Sequence, residues 1–168
     1  TLGFIYLVRD PRAIAVSFAN HTGETIDQAI DSIISEQPRY VVSGNYPSWY
    51  FNWKINYSSW KKFSTKVPGL IIKYEDLFNN DKFIEVANFL NELNIFNFNL
   101  LKIKESLNSI KFESLSNLEE KYGFNESGKK KFFLSGKIDS WKNILNIKQI
   151  SRIEKNLEKE MKELNYLD

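Results

Sequence analysis

The chain has 168 residues, of which 15% are aromatic, and it carries 23 lysines and arginines against 21 aspartates and glutamates. This length and aromatic content suit one domain with a core of its own and exclude an intrinsically disordered chain. The absence of cysteine excludes disulfides and thiolate chemistry, and a single histidine, His21, excludes a histidine-rich zinc site. The net charge of +2 is too small to indicate a nucleic-acid-binding protein.

The first predicted element is a strand over Gly3–Val8, because the sequence GFIYLV is a continuous apolar run rich in β-branched and aromatic residues. Such a run is typical of a strand buried on both faces, as in a parallel sheet. Asp10 is suited to cap a following helix, and Pro11 suits its first turn. We therefore predict that the strand is followed at once by a helix that continues through Ala13–Phe18.

Further helices are predicted before the next strand. Thr25 is the expected N-cap of a helix that ends at Ile34 and carries isoleucines on one face. Pro47 suits the first turn of another helix, because aromatic residues at helical spacing follow it. This aromatic stripe consists of Trp49, Trp53, Tyr57 and Trp60.

The second clear strand is Gly69–Tyr74, with the sequence GLIIKY. Helices are then predicted over Lys82–Leu93, Asn97–Leu107 and Phe112–Tyr122. A loop rich in glycine and lysine, GFNESGKKKFFLSGK, precedes a last helix, which is predicted to start at Asn146 with Gln149 placed for a capping box. The apolar face of this helix is predicted to contain Ile147, Ile150, Ile153, Leu157, Met161 and Leu164.

This order of elements predicts an α/β fold with a parallel sheet, here reduced to about two strands among many helices. A βα pattern calls for a parallel sheet of several strands, and a parallel pair alone is poorly supported. We therefore expect further strands upstream of Thr1. Residues 1–168 are expected to form a single domain that is the C-terminal part of a larger α/β domain.

The junction between the first strand and its helix is a candidate anion site. Ligands of open parallel sheets bind beyond the carboxyl ends of the strands, and Arg9 is the first residue past such an end. A helix N-terminus adds a favourable dipole. Ser17 follows Ala13 on the same helix face, and the small Ala13 would leave room for a phosphate. The alternative is a solvated arginine and a serine bonded to its own helix backbone.

Several stretches, taken in series, resemble the sulfotransferases that use 3′-phosphoadenosine-5′-phosphosulfate (PAPS). YLVRDPRAIAVS resembles their 3′-phosphate-binding segment, in which an arginine and a serine eight residues later hold the phosphate; Arg9 and Ser17 match both. YPSWYFNW with SWKKF resembles the family's glycine-serine-tryptophan helix. VPGLIIKYEDL resembles the strand whose tyrosine contacts the adenine, here Tyr74, and FFLSGKIDSWKNIL resembles the nucleotide lid.

The lid departs from the family pattern. The family has an arginine-lysine pair before the lid glycine, and this sequence has Leu134 and Ser135 there, followed by Gly136 and Lys137. The resemblance places Ser135, Gly136 and Lys137 at the nucleotide, with Lys137 or the lysine run 129–131 supplying the missing charge. The alternative for the lysine run is a solvated loop. Phe112 matches a phenylalanine near the adenine, and its alternative is an apolar residue at a helix start.

The resemblance implies transfer of a sulfuryl group from PAPS to a hydroxyl or amine acceptor without a metal. This chain would bind the 3′-phosphate and the adenine. The family's 5′-phosphosulfate loop and catalytic base precede the matched segment, so no residue here receives a catalytic role and the chain is expected to be inactive alone. His21 is interpreted as an ordinary exposed or helix-end histidine. A histidine of a family helix corresponds to Asn52, and the family's dimer motif keeps only Lys142.

Partners and compartment are expected as follows. No apolar run approaches the roughly 20 residues of a membrane span, and no signal peptide is recognisable. We expect no nucleic-acid partner and no membrane span, we consider a homo-oligomer compatible with the sequence, and we favour the cytoplasm.

Two other classes of protein stay open. One is another P-loop α/β enzyme, such as a nucleotide kinase. The other is a non-catalytic helical interaction module that presents the aromatic stripe to a partner, for which core packing is the alternative explanation. Preference for a ligand with a 3′-phosphate would favour the sulfotransferase over both.

Overall fold

The computed structural model describes residues 1–43, 46–50, 52–78, 80–95, 99, 102–103, 117–118, 120–122 and 138–168. In chain order the elements are β1 (Phe4–Val8), α1 (Pro11–Thr22), α2 (Ile26–Ile34), β2 (Arg39–Ser43), β3 (Tyr46–Tyr50), α3 (Trp53–Phe63), β4 (Gly69–Lys73), α4 (Asn80–Glu92) and α5 (Ile147–Glu163), with 3₁₀ turns at Tyr74–Phe78 and Ser140–Asn143.

The backbone divides into two compact units, and each contains two segments of the chain. The first unit holds residues 1–8 and 67–138, and the second holds residues 9–66 and 139–168. The expectation of a single domain over the whole chain stays a prediction. None of the helices in the described ranges is both long and apolar enough to cross a membrane.

The first unit is built on a parallel pair of strands. β1 lies beside β4, in a register that runs from Phe4 opposite Gly69 to Val8 opposite Lys73. The α/β fold and the two predicted strands are therefore confirmed. The ring of Phe4 lies against Gly69 so closely that a Cβ at that glycine would clash with it, which explains the glycine at this position.

The two faces of β1 differ in burial. Val8 is fully buried, and burial raises the pKa of the Tyr6 hydroxyl to about 12. On the other face Ile5 and Leu7 are 42% and 46% exposed. The prediction of a strand buried on both faces is therefore wrong for one face, because within the described ranges nothing covers Ile5 and Leu7 completely.

After β4, the 3₁₀ turn at Tyr74–Phe78 leads into α4, which begins two residues before its predicted start at Lys82. The predicted helices Asn97–Leu107 and Phe112–Tyr122 lie mostly outside the described residues. Their described members at 102–103, 117–118 and 120–122 are helical, whereas Asn99, which lies inside the first predicted range, is not.

The second unit contains the helices α1, α2, α3 and α5 together with the antiparallel strands β2 and β3. α1 packs on α2 and α5, and α2 also packs on α3 and α5. The predicted N-cap at Thr25 and the predicted capping box at Asn146 and Gln149 are confirmed. Thr25 also forms a capping box, with Gln28, which the sequence analysis did not predict. The fully buried residues of this unit include Ala15, Ala29, Ile30, Ile153, Leu157 and Met161.

The predicted apolar face of α5 is confirmed except at its first residue. Ile153, Leu157 and Met161 are buried, and Ile150 and Leu164 are half-buried. Ile147 is 82% exposed. It occupies the first position after the N-cap, where the helix end lies in solvent, so periodicity alone overestimates the buried stripe.

The predicted helix from Pro47 is wrong in its first part. Tyr46–Tyr50 forms β3, an antiparallel partner of β2, and α3 begins only at Trp53. Proline is tolerated in a two-stranded ribbon, where its missing N–H need not break a ladder bond. Trp49 and Trp53 therefore lie on different elements, and their spacing does not describe one helix face.

The part of the aromatic stripe that lies on α3 is divided between core and surface. Trp53 and Tyr57 are buried and stack with ring centroids 5.9 Å apart, whereas Trp60 is partly exposed. Core packing therefore accounts for Trp53 and Tyr57, so these two side chains are not available to a partner protein.

Glu163 links α5 to α3. Its carboxylate accepts a hydrogen bond from the Tyr57 hydroxyl at 2.9 Å and pairs with Lys61. The hydrogen bond from Lys61 holds the pKa of Glu163 below its usual value, against an opposing effect of burial. A carboxylate with a lowered pKa stabilises the fold above its ordinary pKa of about 4.3, and this contribution is lost as the pH falls through the lowered pKa.

We therefore expect Glu163→Gln to lower the free energy of unfolding slightly at pH 7, and the difference from the wild type to shrink in acid. Urea unfolding of both proteins at pH 7 and in acid measures this difference in the free energy of unfolding. Glu158→Gln is the matched control, since Glu158 pairs with Lys162 of the same helix and, among the residues that the structure describes, with no residue of another element. A loss in Glu163→Gln that is independent of pH would contradict the prediction.

Candidate functional site

The junction between β1 and α1 is held by Asp10. Its carboxylate accepts a hydrogen bond from the backbone N–H of Arg12 at 2.8 Å, and Pro11 occupies the first helical position. The predicted cap and the predicted proline position are both confirmed. Arg9 consequently lies between a buried strand end at Val8 and a capped helix N-terminus.

The backbone of Arg9 is also fixed from α3. The indole N–H of Trp53 donates a hydrogen bond to the Arg9 carbonyl at 2.9 Å, and Trp53 is buried. The side chain of Asn52 orients this helix, since it accepts from the Ile55 N–H at 2.6 Å and donates to the Ser35 carbonyl at 2.7 Å. Asn52, at the position of the family histidine, therefore has a structural role as a helix cap.

Replacement of Trp53 by phenylalanine tests the bond to Arg9. It keeps an aromatic ring in the core but removes the indole N–H that donates to the Arg9 carbonyl. We expect a loss of about 0.5–1.5 kcal/mol in the free energy of unfolding, measured by urea denaturation, since an intramolecular hydrogen bond contributes about this much. Trp60→Phe, at a partly exposed position on the same helix, is the control and should change stability by less than about 0.5 kcal/mol. Equal losses in the two variants would contradict the prediction.

Arg12 is the centre of a buried ionic network. Its Nε and Nη2 atoms donate to the two carboxylate oxygens of Asp10 at 3.0 and 2.8 Å, and its Nη1 donates to Glu154 of α5 at 2.6 Å. Nη2 also donates to the carbonyl of Tyr166 at 3.0 Å. The guanidinium carbon lies 4.1 Å from the centre of the Trp141 ring, a cation–π contact.

The charge of Arg12 is committed to the protein. Burial tends to lower the pKa of Arg12, and the hydrogen bonds and charges of Asp10 and Glu154 outweigh it and raise that pKa. A guanidinium with these acceptors cannot also hold a phosphate without breaking them. Of the two arginines in the RDPR sequence, Arg12 is thus structural, a role that the sequence analysis did not assign.

Ser17 is exposed on α1, where a ligand can reach it. In the described part of the chain its hydroxyl makes no hydrogen bond to the α1 backbone, whereas Thr22 on the same helix donates to the Phe18 carbonyl at 2.9 Å. The alternative of a self-bonded serine is therefore not observed. Ala13 is buried, so the expectation that it leaves open room for a phosphate is wrong, because protein atoms already cover it.

The remaining predicted site residues are distributed as follows. Tyr74 lies in the first unit, half-buried, and opens the 3₁₀ turn that follows β4. His21 is exposed in the last turn of α1, in agreement with its interpretation as a helix-end histidine. Phe112, Ser135, Gly136 and Lys137 lie outside the described residues, and their assignment stays a prediction.

Comparison with known proteins gives a consistent picture. Residues 2–165 match the family model of the sulfotransferase domain. The structure resembles that of mouse sulfotransferase SULT7A1 complexed with PAP, with a TM-score of 0.68 and 19% sequence identity, over 94% of this chain and 57% of that chain. Retinol dehydratase in a complex with retinol and PAP gives the same TM-score and identity, over 94% of this chain and 47% of that chain.

A second structure of retinol dehydratase, in complex with androsterone and inactive cofactor PAP, gives a TM-score of 0.68 at 17% identity over the same shares of the two chains. The chain thus spans about half the length of these proteins. No curated protein matches the chain significantly. At these identities the structural likeness establishes the fold.

Proposed function

The chain belongs to the sulfotransferase domain family, and from this membership we propose that it supplies the 3′-phosphate and adenine recognition of an enzyme that transfers a sulfuryl group from PAPS to a hydroxyl or amine acceptor. The observation that carries the proposal is the junction at Arg9. Its backbone is fixed by the Asp10 cap and by Trp53, ahead of a helix N-terminus that favours an anion.

Other residues support this proposal to different degrees. The hydroxyl of Ser17 is exposed on the helix that begins at this junction, and Arg12 is occupied by protein acceptors, so Arg9 is the arginine assigned to the phosphate. The family resemblance assigns Tyr74 and Phe112 to the adenine, and Ser135, Gly136 and Lys137 to the lid over the phosphates.

The chemistry defines what this segment contributes. Sulfuryl transfer is an in-line displacement, which needs aligned reactants, stabilisation of charge on the leaving phosphate, and a base for the acceptor proton. Arg9 and Ser17 would orient the donor by its 3′-phosphate. No residue of this chain is assigned to the leaving group or to proton removal, so we propose that the 168-residue chain alone does not complete the reaction.

The acceptor, compartment and oligomeric state are also proposals. Retinol and androsterone, which are named with the structures of retinol dehydratase, are both alcohols, and a hydroxyl is the acceptor group that we propose first. The cytoplasmic location of the protein and its self-association stay predictions from the sequence.

The proposed binding role is tested by calorimetric titration of the chain with three nucleotides. These are adenosine 3′,5′-bisphosphate, adenosine 2′,5′-bisphosphate and adenosine 5′-monophosphate. We expect the chain to bind the 3′,5′-bisphosphate about tenfold or more tightly than either of the other two nucleotides, because a charge-assisted phosphate contact is worth about 1.5–3 kcal/mol. The 2′,5′-isomer has the same phosphates at a different position, so equal affinity for the two isomers would contradict specific recognition of the 3′-phosphate. Equal affinity for all three would favour the kinase alternative.

The transfer step is tested with labelled PAPS and a panel of phenols and sugars. The 168-residue chain should give no labelled product. Turnover by this chain would show that a catalytic group lies among residues to which we assign binding or structural roles.

A further inference from the structure

We infer that Arg12 is a positioning residue for the proposed 3′-phosphate site, acting on Arg9 through Asp10; the inference rests on the proposed function. Asp10 follows Arg9 directly in the sequence, and its carboxylate caps the N-terminus of α1. The fork of Arg12 holds both oxygens of that carboxylate, at 3.0 and 2.8 Å. The side chain of Arg12 therefore holds the Asp10 carboxylate in place, and this carboxylate in turn caps the start of α1.

The network connects this fork to the far end of the chain. Nη1 donates to Glu154 of α5 at 2.6 Å, and Nη2 donates to the Tyr166 carbonyl, which follows the end of that helix, at 3.0 Å. The N-terminus of α1 is thereby tied to a helix whose buried residues form the core of the second unit. A movement of α5 relative to α1 would change the position of the Asp10 cap.

Arg12 also contacts a residue of the stretch that resembles the lid. Trp141, the tryptophan of FFLSGKIDSWKNIL, stacks on the guanidinium at 4.1 Å and is buried. Its indole N–H has no hydrogen-bond partner within the described ranges. One guanidinium thus contacts both the Asp10 cap and this buried indole.

The consequence for binding is preorganisation. Arg9 is restrained on one side by the Trp53 bond to its carbonyl and on the other by the Asp10 cap. A binding group that is already ordered loses less conformational entropy when the ligand arrives. Loss of the Arg12 fork would remove the side-chain hydrogen bonds that orient the Asp10 carboxylate and would thereby loosen the backbone next to Arg9. Recognition of the 3′-phosphate should then weaken more than recognition of the rest of the nucleotide.

The test is the ratio of the dissociation constants for adenosine 5′-monophosphate and adenosine 3′,5′-bisphosphate, measured on variants of the 168-residue chain. Arg12→Gln removes the charge, and Arg12→Lys keeps the charge without the fork. Both keep the backbone N–H that bonds Asp10, so the helix can still begin at Pro11. We expect the ratio to fall about tenfold in Arg12→Gln and by an intermediate factor in Arg12→Lys, because a binding group that is less ordered loses more conformational entropy when the ligand binds.

Arg152→Gln is the matched control. Arg152 is also an arginine that joins α5 to another helix, since it pairs with Asp27 and Asp31 of α2, and it does not touch Asp10. The ratio of the two dissociation constants for Arg152→Gln should equal that of the wild type. Glu154→Gln is a further variant that leaves the sequence of α1 intact and weakens the anchor of Arg12, and it should lower the ratio severalfold.

The outcomes separate the two proposals. A wild-type chain without preference for the 3′-phosphate overturns the proposed function and this inference together. A wild-type chain with the preference, and variants of Arg12 and Glu154 that lose stability but keep the ratio within twofold, overturn only the inference and leave Arg12 a purely structural residue. If the Arg12 variants do not fold, Glu154→Gln decides, because Glu154 is partly exposed and its replacement leaves no buried charge on its own side chain.

Discussion

Replacement of Arg12 by methionine is expected to lower the free energy of unfolding by about 3–5 kcal/mol, the range found when one partner of a buried ion pair is removed. The side chains of Arg12 and Asp10 are only 10% and 7% exposed. Methionine fills much of the aliphatic volume of arginine, so the loss reports the charge rather than the packing. The carboxylate of Asp10 is left buried without its guanidinium. Urea denaturation measures the change.

Two further variants show whether the charge is the cause. Arg152→Met removes an exposed ion pair and should change the free energy of unfolding by less than about 1 kcal/mol. The double variant Asp10→Asn, Arg12→Met should recover part of the loss, because the asparagine side chain is neutral and can still cap α1. A double variant that is less stable than Arg12→Met alone would show that the buried charge is not what destabilises the single variant.

Replacement of Arg9 by alanine is expected to weaken the binding of adenosine 3′,5′-bisphosphate about tenfold to a hundredfold, equivalent to about 1.5–3 kcal/mol. The affinity for adenosine 5′-monophosphate should change little, because the lost contact is to the 3′-phosphate. The hydrogen bond from Trp53 goes to the Arg9 carbonyl and persists in alanine, so the variant should fold. Titration calorimetry measures both affinities. Ser17→Ala should act in the same direction by less, since a neutral hydroxyl is the weaker donor.

Lys148→Ala is the control for Arg9→Ala, since it removes one positive charge from an exposed position at the start of α5. It should leave the affinity for the bisphosphate within about twofold of the wild type, because salt screens the charge of a solvent-exposed lysine. If Arg9→Ala binds as tightly as Lys148→Ala, the assignment of Arg9 to the 3′-phosphate is wrong.

Local signals predicted the local structure of this chain well. The N-cap at Thr25 and the capping box at Asn146 need only residues three positions apart, and the cap at Asp10 needs only its neighbours, so each is written in a short stretch of sequence. The strand over residues 4–8 was recognised for the same reason, because a continuous apolar run rich in β-branched and aromatic residues indicates a strand without reference to distant residues.

The structure departs from the sequence analysis where a local pattern suits two structures or where a residue's contacts lie far away in the sequence. Pro47 and the aromatic residues after it suit a helix start and also suit the strand that pairs with Arg39–Ser43, and only the pairing decides between them. The role of Arg12 depends on Glu154 and Tyr166, which no window around the RDPR sequence contains. The long-range contacts of Arg12 cannot be read from its neighbours in the sequence, and therefore the family resemblance, not spacing, distinguished Arg9.

The bond between Arg12 and the Tyr166 carbonyl joins groups 154 positions apart, in a chain that is synthesised from its N-terminus. Arg12 leaves the ribosome before its partner, and the bond can form only after residue 166 has been added and has cleared the exit tunnel. Until then α1 lacks α5, whose Ile153, Leu157 and Met161 complete the core of the second unit. The complete core of this unit can therefore form only after α5 has been translated, and we expect a nascent chain stalled before α5 to expose apolar helix faces to chaperones and proteases.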